Sequence, residues 1–442
     1  MLATDPMFGS TLEAAELKDA WAVLSVQDRL EGLRLLSWDD LEEVVVGLSA
    51  RDNTELLEAA SPQESRTWIR MLPPDDVADV IQESDPERRG TLLALLDPTG
   101  RREVVALLAY AEDEAGGLMN PRYARLRPDM SVDEAISYVR RQTRDRVETI
   151  YYLYVLSTDQ CLEGVISFRE LFLARSDACV SDVMTTDVVT VPEEMDQEVV
   201  SAVFAEHDLL AVPVVDDDGR MMGIVTHDDI VDVVREEATE DVHKMGGMEA
   251  LEAPYLETPF WEMLRKRAGW LAVLFAGEML TASAMGYFER EIAQAVFLVL
   301  FVPLIISSGG NSGSQASTLV VRALALNELG VRDWYRVIRR ELASGLVLGT
   351  ILGMLGFARI LVWSGVFDSY GGHALELGLT LAVSLVAVVT FGTIVGSLLP
   401  LGLRRLGFDP ASASAPLVAT LVDVSGVIIY FVAASFFLRD FL

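Results

Sequence analysis

Cysteine and histidine are scarce in this sequence, which has two cysteines and four histidines in 442 residues. Cys161 and Cys179 cannot form the disulfide framework of a small secreted domain. No two histidines have the H-x-x-x-H spacing that a helical zinc site uses. A nucleophile paired with a base is not recognisable either. We therefore predict that the protein is not an enzyme.

Basic residues are also rare, but only in the first 260 positions. Of the 35 basic and 67 acidic residues, 13 and 12 lie in 261–442, which leaves 22 and 55 in 1–260. The net charge is therefore −33 in the first part and +1 in the second. Because phosphate is repelled by such an acidic surface, we expect no nucleic-acid partner. The charge segregation indicates an acidic soluble part followed by an apolar part.

Long apolar runs are absent from the acidic part, and its N-terminus, MLATDPMFGSTLEAAELKDAW, lacks the features of a signal peptide. Five apolar stretches then follow, and a membrane-crossing helix needs about 20 such residues. A soluble buried helix could explain one stretch, but not five in succession. The predicted spans are 268–288, 292–321, 342–367, 377–403 and 411–438.

Positively charged loops orient these spans, because Lys and Arg are retained on the cytoplasmic side. They precede span 1 and lie between spans 2 and 3 and between spans 4 and 5. The N-terminus is therefore expected in the cytoplasm and the C-terminus outside. The residues are Arg265, Lys266, Arg267, Arg322, Arg332, Arg336, Arg339, Arg340, Arg404 and Arg405.

An internal repeat follows a stretch of short predicted helices in the acidic part. GVISFREL at 164–171 and GIVTHDDI at 223–230 lie 59 residues apart, each after apolar strand-like residues and a polar turn. This pattern predicts two similar α/β units and resembles a tandem pair of CBS domains. Such pairs often bind adenine nucleotides. Ser167 with Glu170, and Thr226 with Asp229, could serve a nucleotide or only cap a helix.

Acidic residues are crowded in DDIVDVVREEATEDVHKMGG, after the second repeat. Helical spacing places four of them on one face, where like charges repel. A solvated acidic face is one interpretation, and neutralisation by Mg²⁺ or Ca²⁺ is the other, since hard cations prefer oxygen ligands. These four residues are Asp229, Asp232, Glu236 and Glu240.

Polar residues at membrane depth mark two of the spans. Span 2 contains Asn311 and Gln315 beside Gly309 and Gly310, which permits either a broken helix lining a cavity or packing through small residues. Asp423 is the only charge in span 5. Since Mg²⁺ sheds its water reluctantly, a carboxylate that binds the ion's waters fits such a site. The charge of Glu278 in span 1 has no assigned role.

Four segments carry a wider resemblance: PLIISSGGNSGSQASTLVVRALA, RDWYRVIRRE, DPASASAPLVATLVDVSG and EEATEDVHKMGG. They are similar to the MgtE family of bacterial Mg²⁺ channels and transporters, in order and over essentially the whole chain. The resemblance implies a multidomain membrane protein that forms a homodimer in the lipid membrane, with its pore at the dimer interface. The implied parts are a cytosolic α-helical N-domain (1–117), CBS domains (118–180 and 181–240), a connecting plug helix (241–264) and a five-span transmembrane domain (265–442).

The function implied by this resemblance is Mg²⁺ entry into the cytoplasm through a channel that Mg²⁺ closes by binding the acidic domains, with ATP as a further ligand. The alternatives are a broader transporter for Co²⁺, Ni²⁺ or Mn²⁺, and a membrane-anchored nucleotide sensor. The implied pore residues are Asn311, Ser314, Ala419 and Asp423. The implied sensor residues are Asp196, Glu198, Asp229, Asp232, Glu237, Glu240 and Asp241. The implied nucleotide contacts are Tyr152, Arg169, Glu170 and Leu209.

Overall fold

The computed structural model describes residues 13–142, 147–251, 253–256, 258–367 and 373–439. The chain divides into two compact units, Met1–Arg235 and Glu236–Leu442. The first twelve residues, which enter the prediction that a signal peptide is absent, lie outside the described residues.

Short α-helices form the first part of the first unit, as the spacing of turn residues predicts. Four of them begin at a serine whose side chain accepts a hydrogen bond from the N–H of an acidic residue three positions later. Such caps accept hydrogen bonds from N–H groups that have no partner within the helix. The acidic side chain in the first turn also interacts favourably with the positive end of the helix dipole. The capping residues are Ser25, Ser37, Ser49 and Ser61.

The helices of this part pack around a core that continues into the second α/β unit, where Val212 and Phe204 belong to the same buried cluster. Their bounds are α1 Ala14–Ala20, α2 Val26–Leu33, α3 Trp38–Val46, α4 Ala50–Ala59, α5 Pro62–Trp68, α6 Pro74–Glu83, α7 Pro86–Leu95 and α8 Pro98–Leu107.

Two three-stranded sheets of the same topology follow, which confirms the predicted repeat. In each sheet the first strand pairs in parallel with the second, and the second pairs antiparallel with the third. The elements are α9 Ala115–Leu118, β1 Arg125–Leu126, α10 Val132–Gln142, β2 Tyr152–Leu156, β3 Leu162–Ser167, α11 Phe168–Leu173, α12 Val180–Val183, β4 Val191–Pro192, α13 Gln197–His207, β5 Ala211–Val215, β6 Met221–Thr226 and α14 His227–Met245.

The glycine that opens each repeat motif has a packing reason. A Cβ atom at Gly164 would lie 2.8 Å from the Thr185 carbonyl oxygen, and one at Gly223 would lie 2.9 Å from the Asn120 carbonyl oxygen. Each glycine therefore lets a neighbouring segment pair with the third strand of its sheet. The glycines of the repeat are thus part of how the sheets are extended.

Five helices of the second unit are long and apolar enough to cross a membrane, which confirms the predicted number of spans. Spans 1 and 3 begin about eight residues before the predicted bounds, at Phe260 and Trp334, because a helix can continue into polar sequence. The helices are α15 Phe260–Tyr287 (span 1), α16 Glu289–Gln294, α17 Val302–Ala325 (span 2), α18 Trp334–Phe367 (span 3), α19 Ala374–Arg405 (span 4) and α20 Ala415–Phe437 (span 5).

Span 2 is one continuous helix through its glycines, so a broken helix at Gly309 and Gly310 is not what forms. The glycines instead allow close helix packing, which is the other interpretation. A Cβ atom at Gly313 would lie 2.9 Å from the Gly392 carbonyl oxygen of span 4, and one at Gly392 would collide with the Gly309 carbonyl oxygen. Spans 2 and 4 therefore touch backbone to backbone.

The predicted connecting helix over 241–264 is wrong in its extent, because α14 ends at Met245 and span 1 begins at Phe260. Gly247 has a φ of +72°, a left-handed conformation that ends helices and favours glycine. Its position is also tight, since a Cβ atom there would lie 2.6 Å from Trp270 Nε1. The described residues between these two helices are not helical.

We expect Gly392→Ala to destabilise the second unit by about 1–3 kcal/mol, because the added methyl group forces spans 2 and 4 apart. Gly402→Ala in the same helix is the matched control, since nothing lies within 4 Å of its Cβ position. Thermal unfolding of the purified protein in detergent measures both variants. Equal midpoints for the two alanine variants would contradict the packing role of Gly392.

Candidate ion pathway and cation sensor

A polar stripe runs along the exposed side of span 2. Ser307, Asn311, Gln315 and Thr318 recur at helical spacing and are all exposed in the single chain. They span twelve residues, or about 17 Å of helix. Polar side chains at membrane depth must meet water, an ion or another protein surface. The predicted pore residue Asn311 lies in the middle of this stripe, with Nδ2 donating to Ser307 Oγ at 3.4 Å.

Asp423 lies beside the glycine backbone of span 2. A Cβ atom at Gly310 would lie 3.5 Å from Ala419 Cα and 3.9 Å from Asp423 Oδ1. The structure therefore brings Ala419 and Asp423 next to the residue that precedes Asn311. Within the described residues, no ion pair joins Asp423 to a Lys, Arg or His. A half-buried carboxyl group without a cationic partner can attract a free cation.

Ser314 has a second role in the structure. Its hydroxyl donates to the Ala415 carbonyl oxygen at 3.2 Å, and Ser317 one turn later donates to the Ala413 carbonyl oxygen at 2.8 Å. Both bonds join span 2 to the beginning of span 5. Ser314 therefore helps to hold in place the helix that carries Asp423.

Glu278, which the sequence left unassigned, contacts this site. Its carboxyl group on span 1 lies within hydrogen-bonding distance of the Asp423 carboxyl group on span 5. Glu278 is exposed in the single chain, whereas Asp423 is half-buried. Two carboxyl groups from different spans therefore meet at this point.

A second group of carboxyls lies in the first unit, between the helical part and the α/β pair. Buried Asn120 donates from Nδ2 to Asp75 Oδ1 at 3.1 Å and to Glu148 Oε2 at 2.8 Å. Asp75 and Asp76 begin α6, and Asp229 lies in the first turn of α14. Asn120 is held by backbone pairing with β6, through Ile224.

Burial and neighbouring like charges disfavour the ionised form of the carboxyl groups in this cluster. Burial and Asp229 raise the pKa of Asp75 well above its usual range, and the same causes raise the pKa of Asp76 to about 8. Desolvation of its carboxyl and repulsion by Asp229 raise the pKa of Glu148 to about 7. Desolvation raises the pKa of Asp229 to about 6, against the hydrogen bonds from Thr226. A bound cation would stabilise the ionised form of these carboxyl groups.

Sequence reasoning found Asp229 but missed Asp75, Asp76 and Glu148. The dipeptide Asp75-Asp76 is typical of a helix N-terminus and carries no sign of a partner. Glu148 follows a polar stretch without a motif. These three meet Asp229 only through the packing of the helical part on the α/β pair.

The other predicted sensor residues have mainly local contacts. Asp196 caps α13 by accepting the Glu198 N–H at 2.9 Å, and Glu198 is exposed in the first turn. Asp232 pairs with Arg235 at 3.3 Å on the surface. The structure of the single chain does not bring these residues into one site with Asp229: among the described residues, no three Asp, Glu, His or Cys side chains are arranged to hold a metal ion.

A third acidic group lies in the second unit, at the end of α14. Lys244 Nζ contacts Glu240 Oε1 at 2.5 Å and Asp409 Oδ2 at 2.6 Å. Burial, together with Asp409 and Glu237, raises the pKa of Asp241. Asp409 also accepts the Ala411 N–H at 2.8 Å, in the loop before span 5. The end of α14 is therefore attached to this loop by Lys244.

The predicted nucleotide residues are only partly brought together. Tyr152 pairs with Ser167 across β2 and β3, which places it near Arg169 and Glu170 at the start of α11. The Glu170 carboxylate accepts from the Ser167 N–H at 2.9 Å and from its hydroxyl at 2.7 Å, so it forms a capping box. Leu209 packs in the core of the other α/β unit. Helix capping is the role that the geometry supports for Glu170.

Comparison with known protein families matches three parts of the chain. The model of the MgtE family of divalent cation transporters matches residues 302–433, that of the MgtE intracellular N domain matches 12–113, and that of the CBS domain matches 180–236.

Individual proteins are similar over a larger part of the chain. A magnesium transporter MgtE from Thermus thermophilus is 43% identical over 78% of this chain and 74% of its own length. One from Enterococcus faecalis is 36% identical over 77% of this chain and 72% of its own length. A crystal structure of the cytosolic domain of the Mg²⁺ channel MgtE with ATP is 40% identical, covering 50% of this chain and 90% of that one with a TM-score of 0.48.

Raising the pH is expected to destabilise the first unit. The carboxyl cluster has folded-state pKa values above the unfolded ones, so the stability present in acid is lost as the pH rises through about 6 to 8. Thermal unfolding of the full-length protein in detergent with EDTA measures this loss. Asp76→Asn should flatten the profile, whereas Asp133→Asn on the exposed side of α10 should not. A flat wild-type profile would argue against the coupling of these carboxyls.

Proposed function

Because this chain belongs to the MgtE family of divalent cation transporters, we propose that it conducts Mg²⁺ across the membrane into the cytoplasm. The observation that carries this proposal is Asp423, a carboxyl group in a membrane span without a cationic protein partner among the described residues. It lies beside Ala419 and the Gly310 backbone, next to the polar stripe of span 2.

Hydrated Mg²⁺ suits this site better than a dehydrated ion does. Asp423 supplies a single carboxylate, whereas bare Mg²⁺ requires six oxygen ligands. A carboxylate can instead accept hydrogen bonds from the waters that the ion retains. Ions that lose water more easily, or that are larger, would bind such a site less favourably.

The pathway is proposed to lie between two copies of the chain. In one copy the stripe of Ser307, Asn311, Gln315 and Thr318 is exposed at membrane depth, and lipid cannot hydrogen-bond to it. A second copy that places its own stripe opposite would enclose a polar channel. Two Asp423 carboxylates would then match the double charge of the ion.

The positively charged loops support the proposal that the protein lies in the inner membrane with its N-terminus in the cytoplasm and its C-terminus outside. The clusters around Arg265 and Arg339 and the pair Arg404 and Arg405 all lie on one side in this orientation. The two acidic groups described above, around Asp229 and Asp241, then face cytoplasmic Mg²⁺.

These acidic groups are proposed to sense Mg²⁺ and close the pathway. Close approach of the carboxyls in each group is unfavourable without a counterion, and a divalent cation reverses this repulsion. Mg²⁺ thus favours the compact arrangement, which is a population shift driven by different affinities of the open and closed states. In the second unit, Lys244 and Asp409 join the end of α14 to the loop before span 5, so motion of α14 can reach the helix that carries Asp423.

Adenine-nucleotide binding stays a prediction from the sequence. The ATP named for the similar cytosolic-domain structure belongs to that protein. Here Glu170 is engaged in a capping box, and Leu209 packs in a core. The geometry therefore favours ion conduction over nucleotide sensing as the main function.

Asp423→Ala is expected to lower Mg²⁺ flux by at least about tenfold, since a carboxylate near an ion contributes a few kcal/mol at an effective dielectric of about 20. Asp423→Asn should lose less of the Mg²⁺ flux than Asp423→Ala, because its amide oxygen still accepts hydrogen bonds from water. Flux into liposomes that contain the purified protein measures both variants. Ser425→Ala, two residues away in span 5, is the control. Wild-type flux in Asp423→Ala would remove this residue from the pathway.

Mg²⁺ is expected to protect the full-length protein from proteolysis far more than NaCl of equal ionic strength does. The reason is that Mg²⁺ can bridge two carboxylates, whereas monovalent ions only screen the repulsion between them. Neutralising Asp229, Asp232, Glu237, Glu240 and Asp241 together should abolish this difference and the closure by Mg²⁺. A solvated acidic face would instead respond equally to both salts and keep normal gating when neutralised. That outcome would rule out these residues as the Mg²⁺ sensor and would not affect the proposed ion pathway.

A further inference from the structure

Glu278 and Asp423 form an unusual contact, because two acidic groups from different spans meet inside the membrane domain. Their carboxyl groups lie within hydrogen-bonding distance of each other. Glu278 is the only charged residue between Arg267 and Tyr287 in span 1, and Asp423 is the only charge in span 5. Two ionised carboxyl groups at this distance repel each other unless a shared proton or a bound cation neutralises them.

The packing of span 1 on span 5 creates this contact. A Cβ atom at Gly277 would lie 2.5 Å from Thr420 Cγ2, so only glycine allows the two helices to come this close. Glu278 follows Gly277 directly, and Asp423 follows Thr420 by three residues, on the same face of span 5. The helix contact therefore holds the two carboxyl groups together, rather than leaving the pairing to flexible side chains.

The same face of span 1 carries a polar group without a protein partner. Thr281 is only 8% exposed, and its Oγ1 atom has no hydrogen-bond partner among the residues that the structure describes. Helical spacing places Thr281 between Gly277 and Glu278 on the face toward span 5. Buried hydroxyls in folded proteins normally find a partner, often the carbonyl oxygen four residues earlier. The unpartnered hydroxyl of Thr281 can therefore hydrogen-bond to a ligand or to water at this helix contact.

No protein cation compensates these carboxyls in the part of the second unit that is described. Lys244 pairs with Glu240 and Asp409, and Lys266 contacts Glu262. Arg359 stacks on Trp363 in span 3, 4.0 Å from the ring centroid. A cation from solution would relieve both the repulsion between the two groups and the desolvation of Asp423.

We propose that Glu278 is a second cation-binding carboxylate of the ion pathway, acting on the same ion as Asp423 and setting the affinity for it. This inference rests on the proposed function. With Glu278 included, each chain offers two carboxylates from two spans to the hydration shell of one divalent cation. Extra negative charge favours a divalent over a monovalent ion, so Glu278 is also a determinant of selectivity by charge.

Glu278→Gln tests this role, because glutamine keeps the size and polarity of the side chain and removes the charge. The Mg²⁺ concentration that gives half-maximal flux into liposomes should rise about tenfold, as expected for loss of one nearby charge. The Mg²⁺ concentration that blocks Na⁺ flux should rise by a similar factor. Glu289→Gln, an exposed carboxyl just beyond the end of span 1, should leave both values within twofold of wild type.

A double-mutant cycle with Asp423→Asn distinguishes a shared ion from two separate sites. If both carboxylates act on one ion, the combined effect on half-saturation differs from the product of the single effects. Multiplicative effects, or an unchanged half-saturation in Glu278→Gln, would overturn the inference while leaving Mg²⁺ conduction intact. Absence of flux in the wild-type protein would overturn both. If Glu278→Gln does not assemble, Glu278→Ala provides the same comparison.

Discussion

Repulsion between carboxyl groups that folding brings close together is the constraint on which both units of this protein depend. In the first unit, folding brings Asp75, Asp76 and Glu148 close to Asp229, which raises the pKa of all three. In the second unit, Asp423 meets a like charge within the membrane domain. Among the described residues, Arg122 opposes only part of the rise in the pKa of Glu148, and no ion pair joins Asp423 to a Lys, Arg or His. The proposed function assigns a divalent cation to both groups, as sensor and as pathway.

Close helix packing is what places the charge in the membrane domain. Glycines on spans 2 and 4 permit backbone contact, and a glycine on span 1 permits contact with span 5. The hydroxyls of Ser314 and Ser317 then hold the beginning of span 5 against span 2. Small residues therefore set the position of Asp423, and the exposed stripe around Asn311 supplies the polar surface beside it. The residues proposed to bind the ion and the small residues that position them alternate along the same helices.

Much of the architecture was predictable because it depends on local patterns. Five apolar stretches predicted five spans, capping serines predicted the short helices, and repeated motifs predicted two sheets of equal topology. The predictions that failed concerned how segments meet. Gly309 and Gly310 permit a broken helix in principle, but contact with span 4 keeps span 2 continuous. The connecting helix ends early because Gly247 adopts a left-handed conformation against Trp270.

Sequence alone determined where charge and apolar surface lie along the chain, and with them the spans, the repeat and the significance of Asp423 as an isolated charge. Hydropathy and helical periodicity act over a few turns, so they can be recognised without a fold. Tertiary structure alone decided that Asp75 and Glu148 join Asp229, and that Glu278 joins Asp423. Coulomb repulsion depends on distance in space, and these partners lie between 81 and 154 residues apart in the chain.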